Sequence, residues 1–172
     1  MIVQQLITAA ALTATGLATP SQSITRQDLI RQLNSIGVQV HANRNCGASH
    51  QNNHAIYHYE RNTICLSSNT LNNKKLLDQS LTHESMHVVQ DCVAGIDNEF
   101  YMPLTTYFRK IKIEPRKIEQ WRQAVLSELR RRGSIDHVRN VTVDSLHSDV
   151  EAEAYAFENH PDDVHALLKA FC

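Results

Sequence analysis

Beyond its N-terminal twenty residues the chain has no apolar run approaching the roughly 20 residues of a membrane span, so no second membrane-crossing stretch is expected. Glycine and proline are scarce, at five and four in 172 residues. There is no internal repeat, low-complexity tract or linker, so the composition is that of a folded globular chain rather than a disordered one. Neither sign of charge prevails: 17 Lys and Arg stand against 18 Asp and Glu, the net charge is −1 and the pI is near 6.8. No basic face follows from such a balance, and nucleic acid is not an expected partner. The runs Arg109-Lys110-Ile111-Lys112 and Arg130-Arg131-Arg132 read as local features. The second closes a predicted helix, where cations complement the negative end of the dipole and are expected to be solvated. None of the cysteines has the CxxC spacing of a zinc or redox pair.

What is present begins at the N-terminus. Residues 2–18, "IVQQLITAAALTATGLA", carry no charged side chain and surround an apolar core from Leu6 to Leu17. Small residues follow at Gly16-Leu17-Ala18 and again at Ser21-Gln22-Ser23, where a signal peptidase needs them. Residues 1–23 are therefore expected to be a signal peptide, with 24–172 the mature single domain in a secreted or periplasmic location. No stable membrane span is expected once the leader is removed. Four cysteines, Cys46, Cys65, Cys92 and Cys172, fit export and two disulfides, for which three connectivities exist. The expected pairs are Cys46–Cys65, flanking a strand region, and Cys92–Cys172, which would stop the tail from fraying.

Hydropathy patterning organises the rest. "SITRQDLIRQLNSIG" reads as a helix capped by Ser23 or Thr25 and stopped by Gly37. "VQVHA" alternates as a strand, and "AIYHY" and "TICLS" flank Glu60-Arg61-Asn62 as a predicted hairpin. A helix is expected from about Asn72 to Val93, with residues 96–114 irregular. "PRKIEQWRQAVLSELRRRG" is a helix with Pro115 in its first turn and a core stripe of Ile118, Trp121, Val125 and Leu129. "DSLHSDVEAEAYAFENH" and "PDDVHALLKAF" complete the series. Short strands followed by helices in one domain make the class α+β.

The chemistry is concentrated in "THESMHVVQDC", residues 82–92. On a helix, residues four apart lie one turn above each other, so His83 and His87 present both imidazoles to one ion. Glu84 projects to the same side without needing to bind it. Neutral imidazole ligands, an open position and a carboxylate to accept a proton are what hydrolytic zinc needs. A third protein ligand is expected from "HSDVEAEAYAFENH", where Glu151 and Glu153 sit among apolar residues at a cost that ligation would remove. Being two apart, they point to nearly opposite sides of their helix, and only one is expected to reach the ion. His147, Asp149 and His160 are the other options. His50, His54 and His58 read as solvated loop histidines rather than a second metal site.

These residues carry a resemblance. "LTHESMHVV" looks like the active-site helix of zincin metallopeptidases, and "EAEAYAFE" resembles the glutamate helix of their gluzincin branch. The hairpin "YHYERNTICLSSN" is similar to the strand pair that precedes HExxH in minimal zincins. The likeness covers residues 55–92 and 150–158. It implies a minimal zincin-like fold with a short sheet packed on the active-site helix, and one catalytic zinc ion held by His83, His87 and Glu153. It further implies Glu84 as general base and a peptide or protein as substrate. An electrophilic partner for the oxyanion is expected as well, with Tyr155, His147 and Tyr101 left as open alternatives, and an edge strand of the Cys65 hairpin could align the substrate. There is no third-histidine extension of the kind that marks the metzincins. Two rival readings are a catalytically silent zincin-like binding domain and an intracellular regulatory metallopeptidase with reduced cysteines. A purely structural site, however, has no use for a base beside an open position.

Overall fold

The computed structural model describes residues 23–43, 54–95, 101–141 and 145–172, with side chains at all of these except residues 69, 139–141 and 145–147. Residues 1–22 of the expected leader and Cys46 lie outside the described residues. The described elements run α1 (Arg26–Ser35), β1 (Gln39–Asn43), β2 (Ala55–His58), β3 (Thr63–Ser67), α2 (Ser68–Leu71), α3 (Lys74–Ala94), α4 (Leu104–Lys110), α5 (Pro115–Arg132), α6 (Ile135–Val141), α7 (Ser145–Phe157) and α8 (Pro161–Phe171). The fold is α+β, a small sheet against a larger helical body.

The three strands are ordered β1-β3-β2, with β1 parallel and β2 antiparallel to the central β3. The predicted hairpin is β2–β3. It turns through a single 3-10 turn and Asn62, whose φ of 48° is a left-handed conformation that Asn tolerates better than most residues. Ile64 and Leu66 of β3 are buried in one core cluster with Leu29 and Leu33 of α1 and with Leu77 and Leu81 of α3. Thr25 caps α1 in a capping box with Asp28, which satisfies the first free amides of that helix.

α3 is the organising element. It packs against the sheet, α1, α4, α7 and α8, so burial surrounds it rather than following one stripe. Ser80, Thr82, Glu84, Ser85, His87 and Gln90 are buried along with Leu81, Met86 and Val89. Such polar burial is tolerated only with partners. Thr82 and Ser85 donate to the carbonyls of Asp78 and Leu81 one turn back, and among the described residues no buried side-chain polar atom lacks a partner. The expected α5 stripe of Ile118, Trp121, Val125 and Leu129 is the buried set of that helix. Trp121 stacks on Phe157 with ring centroids 5.0 Å apart.

Residues 104–110, read from sequence as irregular, form helix α4. Its N-cap is Pro103, which offers no capping side chain, and the missing acceptor comes from a distant glutamate instead. That arrangement leaves no local sequence signal. Among the described residues no helix is long and apolar enough to cross a membrane.

Cys92 at the end of α3 is bonded to Cys172, as expected, with Cα atoms 5.4 Å apart. Cys65 is also disulfide-bonded. The Cys92–Cys172 bridge spans 80 residues of sequence and ties α8 to α3. Replacing both cysteines by serine is expected to destabilise the fold by about 2–4 kcal/mol, read as a lower midpoint of urea unfolding. An unchanged midpoint would mean that α8 docks without its tether.

Candidate metal centre

His83 and His87 sit one turn apart on α3, and their Nε2 atoms lie 3.2 Å from each other. Glu151 of α7 faces both, with Oε2 3.5 Å from His83 Nε2 and Oε1 3.3 Å from His87 Nε2. These three residues are the described group able to hold a metal ion. A tetrahedral zinc with nitrogen and oxygen ligands at about 2.0–2.1 Å has ligand–ligand edges of about 3.3–3.4 Å. The two imidazole nitrogens lie close to that edge. The Glu151 contacts are made by different oxygens, but one donor atom from each of the three residues lies within 4.8 Å of the others, so the set can close on one ion.

The third residue placed to join the histidines at an ion is therefore Glu151, not the expected Glu153. Val150, Glu153, Ala154 and Phe157 fall on one buried stripe of α7, whereas Glu151, Tyr155 and Glu158 fall on the face that lines the cleft. Glu153 is 2% exposed and its carboxylate is filled by four donors. Oε2 accepts from Leu104 N at 2.8 Å and Gln90 Nε2 at 3.1 Å, and Oε1 from Thr105 N and Trp121 Nε1, each at 3.1 Å. Burial pushes its carboxyl upward while these donors pull it down, and burial prevails. Leu104 and Thr105 open α4, so Glu153 is the acceptor that the Pro103 cap lacks, at the positive end of that helix.

The other candidates separate clearly. Asp149 is exposed, and His160 pairs with Glu128 at 3.4 Å and Asp163 at 4.0 Å. His147 and His50 lie outside the described side chains. His54 and His58 border the cleft but join no described metal group.

Electrostatics favour a cation at the cluster. Burial opposes a charged His83, but its hydrogen bond to Glu151 and the charges of Glu84 and Glu151 raise its pKa. Burial likewise opposes a charged Glu151, and the two histidines outweigh it, holding that carboxyl well below its ordinary range. Nearby Glu158 is engaged by Arg132, which also donates to the Tyr155 carbonyl. Arg132 thus braces Glu158 of the cleft wall, whereas Arg130 and Arg131 keep the exposed helix end that the sequence predicts. Glu84 is buried, and its Oε2 accepts from the Tyr57 amide at 2.8 Å, so the carboxylate is fixed beside His83.

The cluster opens onto a cleft of about 1140 Å³ walled by β2, the turn after it, α3, α6 and α7. Two tyrosines flank the histidines. Tyr101 stacks on His87 with centroids 5.2 Å apart and donates to the Tyr57 carbonyl at 3.0 Å. Tyr155 meets His83 edge-on at 4.6 Å, and its hydroxyl is 2.8 Å from His137 Nε2. Burial, with the Glu151 and Glu84 charges, pushes the Tyr155 hydroxyl up to about 12, so it stays protonated at neutral pH. Cys65 belongs to the central strand, and β2 is the edge that borders the cleft. At Tyr57 both the amide and the carbonyl are already taken, and Ile56 and His58 on either side direct theirs to β3, so the centre of that edge offers no free group for strand addition.

Sequence reasoning missed Gln90, His137 and Arg132. Only Gln90 left a trace, as a polar residue one turn beyond His87 on a helix flanked by apolar positions. Compared with protein-family models, with curated proteins and with solved structures, the chain matches none.

Proposed function

We propose that the chain is a small secreted zinc peptidase in which His83, His87 and Glu151 hold the ion and Glu84 is the general base. The observation that carries this reading is the convergence of two imidazole nitrogens and one carboxylate at 3.2–3.5 Å, beside a buried carboxylate and open to a cleft. Zinc bound by such a set would lower the pKa of a water in its fourth position toward neutrality and polarise a substrate carbonyl. Glu84, anchored by the Tyr57 amide, accepts the water's proton and delivers it to the leaving amine. Tyr155, protonated and open to the cleft, donates to the developing oxyanion, while Tyr101 keeps its hydroxyl on the Tyr57 carbonyl and orients the His87 ring. The disulfide between Cys92 and Cys172 is compatible with an extracellular protein, which supports export.

The test is zinc content together with cleavage of a degenerate peptide library by the full chain, with and without chelator. One zinc per chain is expected, with cleavage lost on chelation and restored by added zinc. A chain that binds no zinc, or cleavage that chelator leaves untouched, would overturn the reading.

A further inference from the structure

His87 is held by more than the cluster it faces. Its Nδ1 lies 2.8 Å from Gln90 Oε1. The Gln90 amide nitrogen has two acceptors of its own, the Val150 carbonyl at 2.9 Å and Glu153 Oε2 at 3.1 Å. An NH2 group cannot be exchanged for an oxygen between two acceptors, so the oxygen is the end that faces His87. That leaves His87 one way to make the bond: Nδ1 carries the hydrogen, so in the neutral ring Nε2 is the nitrogen whose lone pair is free toward His83 and Glu151. Glu153 is itself locked by Leu104 N, Thr105 N and Trp121 Nε1. Gln90 is wholly buried, and His87 and Glu153 nearly so, so no water competes. The main-chain carbonyl of Gln90 also accepts from the Met102 amide at 3.2 Å, fixing the segment that lays Tyr101 on the His87 ring. Among the described residues the other imidazole has no comparable partner, since Glu158 Oε2 is 3.8 Å from His83 Nδ1, beyond hydrogen-bond reach.

We infer that Gln90 and Glu153 form a buried relay that sets the tautomer and orientation of His87, making it the preorganised ligand of the cluster. Both are positioning residues, since neither belongs to the three-residue group that could hold an ion. The inference rests on the metal-centre reading for its consequence, but the state of the ring can be read without metal. An acceptor that fixes the outer nitrogen of a ligand histidine typically contributes 10–100-fold to metal affinity. Gln90→Met preserves length and removes both ends of the relay.

The experiment uses the full chain freed of metal, with the imidazole nitrogens observed by long-range 1H–15N NMR at a pH above the histidine range, and then titrated with zinc against a competing chelator. In the native chain His87 is expected as the single tautomer protonated at Nδ1. Gln90→Met is expected to show both tautomers and to bind zinc about 10–100-fold more weakly. A native His87 protonated at Nε2 would overturn the inference, as would native zinc affinity in folded Gln90→Met. Should that variant not fold, the native ring spectrum alone decides. Should the native chain bind no zinc yet show the expected tautomer, the relay stands and the peptidase reading falls.

Discussion

Hydrolysis by Glu84→Gln is expected to fall by about 10²–10⁴-fold while its zinc content stays at that of the native chain. The substitution is nearly isosteric, and the surroundings of Glu84 show why it isolates one role. Its Oε2 accepts from the Tyr57 amide at 2.8 Å, a bond that a glutamine carbonyl oxygen makes equally well. Neither the hold of α3 on the β2 edge nor the three-donor cluster is therefore disturbed. What is lost is the ability to take a proton beside His83. The measurement is a paired one, with metal analysis and peptide cleavage on the same preparation. Activity unchanged with zinc in place would remove Glu84 as the base. Loss of zinc together with activity would give Glu84 a part in holding the ion.

The histidine pair was legible in sequence because it depends on one helix alone: spacing by four places two side chains on one face whatever the surrounding fold. The strand pair was legible for a similar reason, since alternation and a short polar turn are local properties. The third donor depends on which side of α7 meets α3, and "EAEAYAFE" offers two glutamates that differ in that respect. The resemblance favoured Glu153. The helical period favours the other: Val150, Ala154 and Phe157 mark the core stripe, Glu153 falls within it, and Glu151 lies with Tyr155 and Glu158 on the cleft side. Helix α4 was illegible because its cap lies 48–49 residues away in sequence. The role of Arg132 was hidden in the same way, in a partner on α7 and just beyond its end that only tertiary packing supplies.

The two glutamates of α7, two residues apart, are expected to fail in opposite ways. Glu151→Gln exchanges the one anionic donor of the three for a neutral amide oxygen, a much weaker metal ligand, at a side chain 28% exposed on the cleft wall. Folding stability is expected to stay within about 1 kcal/mol of native, because cleft water can reach the replacement amide. Zinc affinity is expected to fall by more than the roughly 10–100-fold that loss of an outer partner produces. Glu153→Gln retains one oxygen and puts an NH2 group where the other stood. Each Glu153 oxygen accepts two donors, so whichever way the new amide turns, two buried donors face a third. Leaving buried donors without acceptors at the start of α4 is expected to destabilise the fold by about 3–5 kcal/mol. Urea unfolding and zinc titration of both variants check the division. If Glu153→Gln unfolds like the native chain but no longer binds zinc, while Glu151→Gln binds it normally, the ligand is Glu153 after all and α7 must be turned by roughly half a revolution from the orientation described. Two residues advance a helix by about 200°, so no small readjustment of side chains could bring both carboxylates to the same ion.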